Sequence, residues 1–359
     1  MNAMMPMTTS PVSEREKVRT LVVDDSVVVR TVIERILNGN PRYKVVHKTS
    51  SAEQALGYLA DHAVDLVLLD IELPGQSGLA ALPQILRTNP AVKVAILSGK
   101  CEEGSAAAIE ALALGASDIL SKPGSGSFGE QFPQALIDRL NRLFGDRPAV
   151  PPMSPVAPPS VEAAAAPLAC IGIGASTGGI HALGQLFQGL SAPLGVPLLL
   201  TQHLPASFTV YFAQQLSRMT SLRVKVAETG DLLAPDIIYV APGDANIQVR
   251  RGLHGRVTIM LNPERTAAGN LPGVDPMFAS MAEAYGAGAA GIVLTGMGRD
   301  GTLGARAIVA AGGWIVAQDE ASSVVWGMPG SVAGAGLTCA IMEPVAMMNF
   351  VARRGKVAA

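Results

Sequence analysis

The sequence predicts an α/β protein made of two parallel-sheet regions joined by a Pro-rich linker, with a small antiparallel hairpin in the second region. Three observations predict it. Short apolar runs alternate with stretches of helical period along most of the chain, the pattern of βα units. The stretch "GDRPAVPPMSPVAPPSVEAAAAP", Gly145–Pro167, is rich in Pro and Ala and has almost no hydrophobic periodicity, as expected of an extended spacer. The stretch "DIIYVAPGDANIQVRRGLHGRVTIML", Asp236–Leu261, has period-2 character broken by turn signals, which reads as a hairpin insertion. Hydrophobic residues make up 49% of the chain against 16% charged, enough apolar material for two buried cores.

Taken in order, the first region starts with a strand in "VRTLVVDD" and a helix in "SVVVRTVIERIL". The strand "YKVVHKT" follows, then the helix "SAEQALGYLADH", the strand "VDLVLLD" and the helix "GLAALPQILRT". The strand "VKVAILSG", the helix "EEGSAAAIEALALG", the strand "ASDILSKP" and the helix "EQFPQALIDRLNRLF" complete it. Five such units form a parallel sheet with helices on both faces, and runs as continuously apolar as "VDLVLLD" suit strands buried on both sides. In the second region "PLACIGIGAS", "VPLLLTQH" and "AAGIVLTGMG" are apolar runs that end in small or polar residues and lead into helical stretches; "WIVAQD" is similar.

Bulk properties exclude several classes. The formal net charge is −2 with no prominent Lys/Arg run, which argues against nucleic-acid binding. Cys101, Cys170 and Cys339 are odd in number and widely spaced, so they form neither a disulfide framework nor a metal-ligand pattern. They suit a reducing compartment, as small core residues. No apolar run is long enough to span a membrane. The N-terminal stretch lacks a basic start followed by an apolar block, so residues 1–17 are expected to be a frayed leader on a cytoplasmic protein.

Acids and other polar residues close the strands of the first region. Asp24 and Asp25 end the first strand and Asp70 the third; Ser98 ends the fourth, and Lys122, followed by Pro123, the fifth. A parallel sheet gathers these ends on one edge, where ligands bind. Three carboxylates there need a cation, and hard oxygen ligands with room for water suit Mg²⁺. A hydroxyl, an ammonium, a metal and a central carboxylate together can stabilise a phosphoryl group transferred to Asp70.

In the second region "IGIGASTGGI" passes from strand through a Gly-rich turn into a helix. It can be read as a phosphate cradle or as a serine held at a bend. Gly172, Gly174 and Gly178 give a spacing one residue longer than the usual dinucleotide fingerprint, and "LLLTQH" stands where an acidic ribose partner is expected. The nucleophile reading explains more. Ser176 sits where strand becomes helix, with Gly178 and Gly179 leaving backbone N–H groups free. A serine needs a base, and His203 ends the next apolar strand. Asp300 follows another strand end within the Gly-rich "TGMGRDG", which favours it as the acid that orients His203; Asp319, Asp244 and Asp275 are the other candidates. The Met297 N–H can help hold an oxyanion. A binding module with an anion pocket at the serine turn and a nucleotide-dependent oxidoreductase are the rival classes. Labelling by a serine-directed phosphonate and cofactor titration would distinguish them.

The motifs "VDDS", "LLDIELPGQSGL", "ILSG" and "SKPG" resemble the signature of response-regulator receiver domains, over roughly Val18–Phe144. The resemblance implies a five-stranded flavodoxin-like receiver with Asp70 as phosphoacceptor, Asp24 and Asp25 binding Mg²⁺ together with Asp70, Ser98 as switch hydroxyl and Lys122 contacting the phosphoryl group. Ser77 stands where many relatives carry Asp, outside the acid pocket. The motifs "GASTGG", "QHLPASFT", "YVAPGD", "LTGMGRDG" and "AQDEASSVVWGMP" are similar to the catalytic domain of chemotaxis protein-glutamate methylesterases, over about Leu168–Val351. That resemblance implies Ser176 as nucleophile, His203 as base then acid, Asp300 as orienter, and oxyanion donors at Thr177 and Met297. It implies demethylation and deamidation of chemoreceptor side chains without a cofactor for the esterase step, and phosphorylation by a chemotaxis histidine kinase. Asn270 and Leu271 stand where relatives often have His and Arg, a departure that bears on substrate fit. The resulting organisation is a leader at 1–17, a receiver at 18–144, a linker at 145–167 and a doubly wound catalytic domain at 168–355. A tethered receiver able to cover the catalytic cleft would make activity rise on phosphorylation.

Overall fold

The computed structural model describes residues 17–98, 102–122, 132–145, 166–190, 192–266 and 269–357. Nearly all of the expected leader and linker, with Cys101 and Pro123, lies outside the described residues. Two compact units are built on two large sheets.

The first unit carries β1 (Val18–Val23), α1 (Val27–Asn38), β2 (Tyr43–Thr49), α2 (Ala52–Asp61), β3 (Leu66–Asp70), α3 (Gly78–Thr88), β4 (Lys93–Ser98) and β5 (Asp118–Ser121), in the sheet order β2-β1-β3-β4-β5. Further helices are α4 (Glu102–Ala113) and α5 (Phe132–Leu143). Each of the first three helices starts at a serine whose hydroxyl accepts a free backbone N–H: Ser26 from Val29 N (3.4 Å), Ser51 from Gln54 N (3.3 Å) and Ser77 from Ala80 N (3.3 Å). Every residue of β3 is buried, as its uninterrupted apolar run predicts. The chain leaves β1 for β2 on one side and returns to β3 on the other. The carboxyl ends of β1 and β3 therefore flank the switch point, where open α/β sheets bind ligands.

The second unit repeats this logic at larger scale. Its elements are β6 (Cys170–Ala175), α6 (Gly179–Gln188), β7 (Leu198–Gln202), α7 (Ala206–Met219), β8 (Arg223–Val226), β9 (Ile237–Val240), β10 (Asn246–Arg251), β11 (Val257–Asn262), α8 (Val274–Tyr285), β12 (Ala289–Val293), α9 (Thr302–Ala310), β13 (Trp314–Gln318), α10 (Met328–Gly334), β14 (Thr338–Met342) and α11 (Pro344–Val357). Seven strands pair in parallel in the order β14-β13-β12-β6-β7-β9-β8. The switch point lies between β6 and β12.

The hairpin expected over Asp236–Leu261 is smaller than its sequence pattern. β9, the "IIYV" of that stretch, is a parallel strand paired with β7 and β8; only β10 and β11 form the antiparallel pair. β9 is a short apolar run, buried at three of its four residues, that stands directly before turn signals, and by local pattern such a run reads as a hairpin strand. Ile247, Val249, Val257 and Ile259 of the hairpin share a core with Met277, Phe278 and Met281 of α8.

Candidate active site

Strand register brings two of the expected catalytic residues to adjacent ladder positions. β6 and β7 pair up to Ala175 and Gln202, and His203 N donates to Ala175 O at 3.0 Å. Ser176 and His203 are therefore the next residues on neighbouring strands. Beyond β12, Ser176 N donates to Thr295 O at 3.1 Å, which brings the Thr295–Asp300 loop alongside.

His203 Nε2 lies 2.8 Å from Asp300 Oδ2. Asp300 is 3% exposed, and its oxygens accept N–H bonds from Val274 (2.8 Å), Asp275 (3.1 Å) and Gly301 (3.0 Å). Burial alone would raise the pKa of Asp300, but the His203 bond and the amides at the start of α8 outweigh it and hold the carboxyl below its ordinary range. An ionised Asp300 fixes the proton on Nε2 and leaves Nδ1 as the basic nitrogen. Among the described residues Ser176 Oγ makes no hydrogen bond, so the serine–histidine link is not closed. Such links are commonly long without substrate. Two of the other candidate acids are engaged elsewhere. Asp319 Oδ1 accepts from Ser322 N and Oγ (2.9 and 2.6 Å), and Asp275 Oδ1 accepts from Gly304 N at 2.8 Å.

The glycines of "IGIGASTGGI" divide by task. Gly172 and Gly174 lie inside β6 and face α8. A Cβ on Gly172 would stand 2.6 Å from Met281 Sδ, and one on Gly174 would stand 2.5 Å from Val274 Cγ1. They allow a helix to lie close on the strand and form no phosphate cradle. Gly178 adopts φ +77°, where its missing Cβ would meet Val324, and it caps α6 without a side chain. Among the described residues the N–H groups of Thr177 and Met297 donate to no protein acceptor, and Met297 is exposed. Both are available to an incoming oxyanion.

Several polar groups behind the site were not singled out from sequence. Gln202 Nε2 donates to Ser176 O (2.9 Å), Gln318 Oε1 accepts from Thr295 N (2.7 Å), and Thr295 Oγ1 lies 3.0 Å from Thr177 O. All three are buried polar residues at or just past the ends of apolar strands, which is the sequence signal that could have marked them.

In the first unit, ligand oxygens of Asp24, Asp25 and Asp70 lie within 4.8 Å of one another. Lys122 Nζ is 2.5 Å from Asp70 Oδ2 and 3.0 Å from Asp24 Oδ2; the second contact is an ion pair whose geometry falls short of a hydrogen bond. Burial raises the pKa of Asp70 despite the nearby ammonium, with the Asp24 charge adding to the rise. A buried, poorly satisfied Asp24 oxygen beside two more carboxylates is a donor set that fits Mg²⁺. Arg30 Nη1 donates to Asp24 O and, at 3.0 Å, to Asp25 O, tying α1 to the acid loop. Ser98 closes β4 on the same edge. Ser77 caps α3.

A family model described as CheB methylesterase matches residues 171–351, and one described as response regulator receiver domain matches 20–127. The chain is 39% identical over 345 residues to a protein-glutamate methylesterase/protein-glutamine glutaminase of Caulobacter vibrioides, covering 94% of this chain and 99% of that one. It is 36% identical over 352 residues to one of Pseudomonas aeruginosa, covering 94% and 98%. Among solved structures, the CheB methylesterase catalytic domain of Thermotoga maritima superposes with TM-score 0.50 at 31% identity, covering 52% of this chain and 99% of that chain.

Proposed function

We propose, from the premise that the chain belongs to the CheB methylesterase family, that Ser176, His203 and Asp300 hydrolyse glutamate γ-methyl esters on chemoreceptor helices through an acyl-enzyme. The chain is an enzyme of the protein-glutamate methylesterase and protein-glutamine glutaminase kind, with a response-regulator receiver ahead of its catalytic domain. The observation that carries the reading is the 2.8 Å bond from His203 to a buried Asp300, at the strand end next to Ser176.

His203 Nδ1 takes the Ser176 proton as Oγ bonds to the γ-carbonyl carbon, and the imidazolium is balanced by the Asp300 charge. The N–H groups of Thr177 and Met297 meet the oxyanion. Collapse of the tetrahedral species breaks the carbon–methoxy bond, and the imidazolium proton leaves with methanol. Water then gives a proton to His203 and attacks the acyl carbon, Ser176 recovers its proton, and glutamate is released. A glutamine side chain passes through the same steps with ammonia as leaving group. Both reactions add a negative charge to the receptor.

The first domain supplies control. Asp70 is the phosphoacceptor, and a chemotaxis histidine kinase is the donor. Asp24, Asp25 and Asp70 would hold Mg²⁺, which neutralises charge on the phosphoryl oxygens. Lys122 and the Ser98 hydroxyl contact the transferred group, and activity rises on phosphorylation. No helix among the described residues is long and apolar enough to cross a membrane, in keeping with a cytoplasmic enzyme.

Methanol release from methylated chemoreceptor tests this. Ser176→Ala is expected to lose at least ~10³-fold in turnover. A small phosphodonor with Mg²⁺ is expected to raise wild-type turnover but not that of an Asp70→Asn variant. Retention of most activity in Ser176→Ala would refute the triad.

A further inference from the structure

Thr295 and Gln318 make a buried polar bridge between the two loops that carry the oxyanion donors. Thr295 is 1% exposed and Gln318 is fully buried. The Thr295 carbonyl accepts Ser176 N at 3.1 Å, and its amide donates to Gln318 Oε1 at 2.7 Å. Its hydroxyl accepts Val325 N at 3.0 Å and stands 3.0 Å from Thr177 O and 3.1 Å from Val325 O. One hydroxyl proton serves only one of those carbonyls at a time, so the hydroxyl holds both turns through a shared donor.

Gln318 is anchored in turn. Its Nε2 donates to Ser322 O (2.9 Å) and Oγ (3.1 Å), and Ser322 Oγ donates to Asp319 Oδ1 at 2.6 Å. Trp326 Nε1 donates to Gln318 O at 2.9 Å. The same segment grips the residue before Met297: Gly296 N donates to Val325 O (3.0 Å), and Gly296 O accepts Gly327 N (3.1 Å) and Met328 N (2.8 Å).

We propose that Thr295 and Gln318 are positioning residues that set the spacing between the Thr177 and Met297 amides and so shape the oxyanion pocket. This rests on the reading above that Ser176 is the nucleophile and these amides receive the oxyanion. Buried hydrogen-bonded networks of this kind fix a geometry more tightly than apolar packing does. An oxyanion donor displaced by a fraction of an ångström stabilises the transition state less while ground-state binding is little changed.

The test compares wild type, Thr295→Val and Thr295→Ser as full-length protein with methylated receptor. Thr295→Val is expected to lower kcat by about 10–100-fold with KM nearly unchanged, and Thr295→Ser, which keeps the hydroxyl, to stay within about threefold of wild type. A serine-directed phosphonate is run on the same samples. Wild type labelled at Ser176, with Thr295→Val turning over as wild type does, overturns the positioning role and leaves the nucleophile standing. Wild type unlabelled at Ser176 overturns both. If Thr295→Val does not fold, Gln318→Met, which removes the acceptor of Thr295 N, decides: a fall in kcat of about 3–10-fold at constant KM supports the bridge, and unchanged kcat overturns it.

Discussion

Replacing Asp275 by asparagine tests how the paired carboxyls behind His203 divide their charge. Asp275 and Asp300 lie between the N-termini of α8 and α9, and each serves the other's helix. Asp300 accepts the first amides of α8, and Asp275 accepts Gly304 N in the first turn of α9. Burial, followed by repulsion from Asp300, pushes Asp275 up from 3.8 to about 6. A carboxyl with a folded pKa above its unfolded value binds a proton in the native state that the unfolded chain has already lost. Stability from this group is therefore full below about pH 4 and falls as pH rises through about 6. Above that, the shift of about two units corresponds to roughly 3 kcal/mol of unfavourable charge at most. The amide of the Asp275→Asn variant would carry no charge and keep an acceptor for Gly304 N. The variant should recover about 1–3 kcal/mol above pH 7 and nothing near pH 4. For a domain of this size each kcal/mol is worth about 2–4 °C, so thermal unfolding at about pH 8 should rise by roughly 2–12 °C. The assay is the melting temperature of the catalytic transition in full-length wild type and Asp275→Asn at about pH 4, 6 and 8. An equal shift at all three pH values, or a lower melting temperature at pH 8, would refute a raised Asp275.

Two further outcomes are expected. Gly174→Ala puts a methyl 2.5 Å from Val274 Cγ1. Because Val274 N holds Asp300, the variant should lose about 1–3 kcal/mol in chemical denaturation and also turnover; lost stability with full turnover would break that link. Asp24→Asn removes a buried carboxylate oxygen of the proposed Mg²⁺ site, so labelling of Asp70 by a small phosphodonor should need at least about tenfold more Mg²⁺ while unphosphorylated esterase activity stays the same. An unchanged Mg²⁺ dependence of the labelling rate would exclude Asp24 from the metal site.

Much of the fold was legible because its signals are local. The apolar runs that become β1, β3, β4, β6, β7, β12 and β13 are visible in the sequence, and so are the serines that cap α1, α2 and α3. Less visible were β8 and β14, short strands at the sheet edges whose patterns lack a continuous apolar run. β9 reads from sequence as part of the hairpin because a short apolar run beside turn signals does not say which partner the strand will choose.

The candidate site divides in the same way. Strand-end position alone singled out Ser176, His203, Asp24, Asp25 and Asp70, because a parallel sheet delivers all its carboxyl ends to one edge. The Gly-rich turn already favoured Asp300 over Asp319 and Asp275, but its bond to His203, the packing duty of Gly172 and Gly174, and the Thr295–Gln318 bridge were decided only by tertiary structure. Each depends on where α8 and the Ser322–Met328 segment come to rest against the sheet. That placement is set by packing between residues from about 100 to about 150 positions apart, and no window of local sequence contains it.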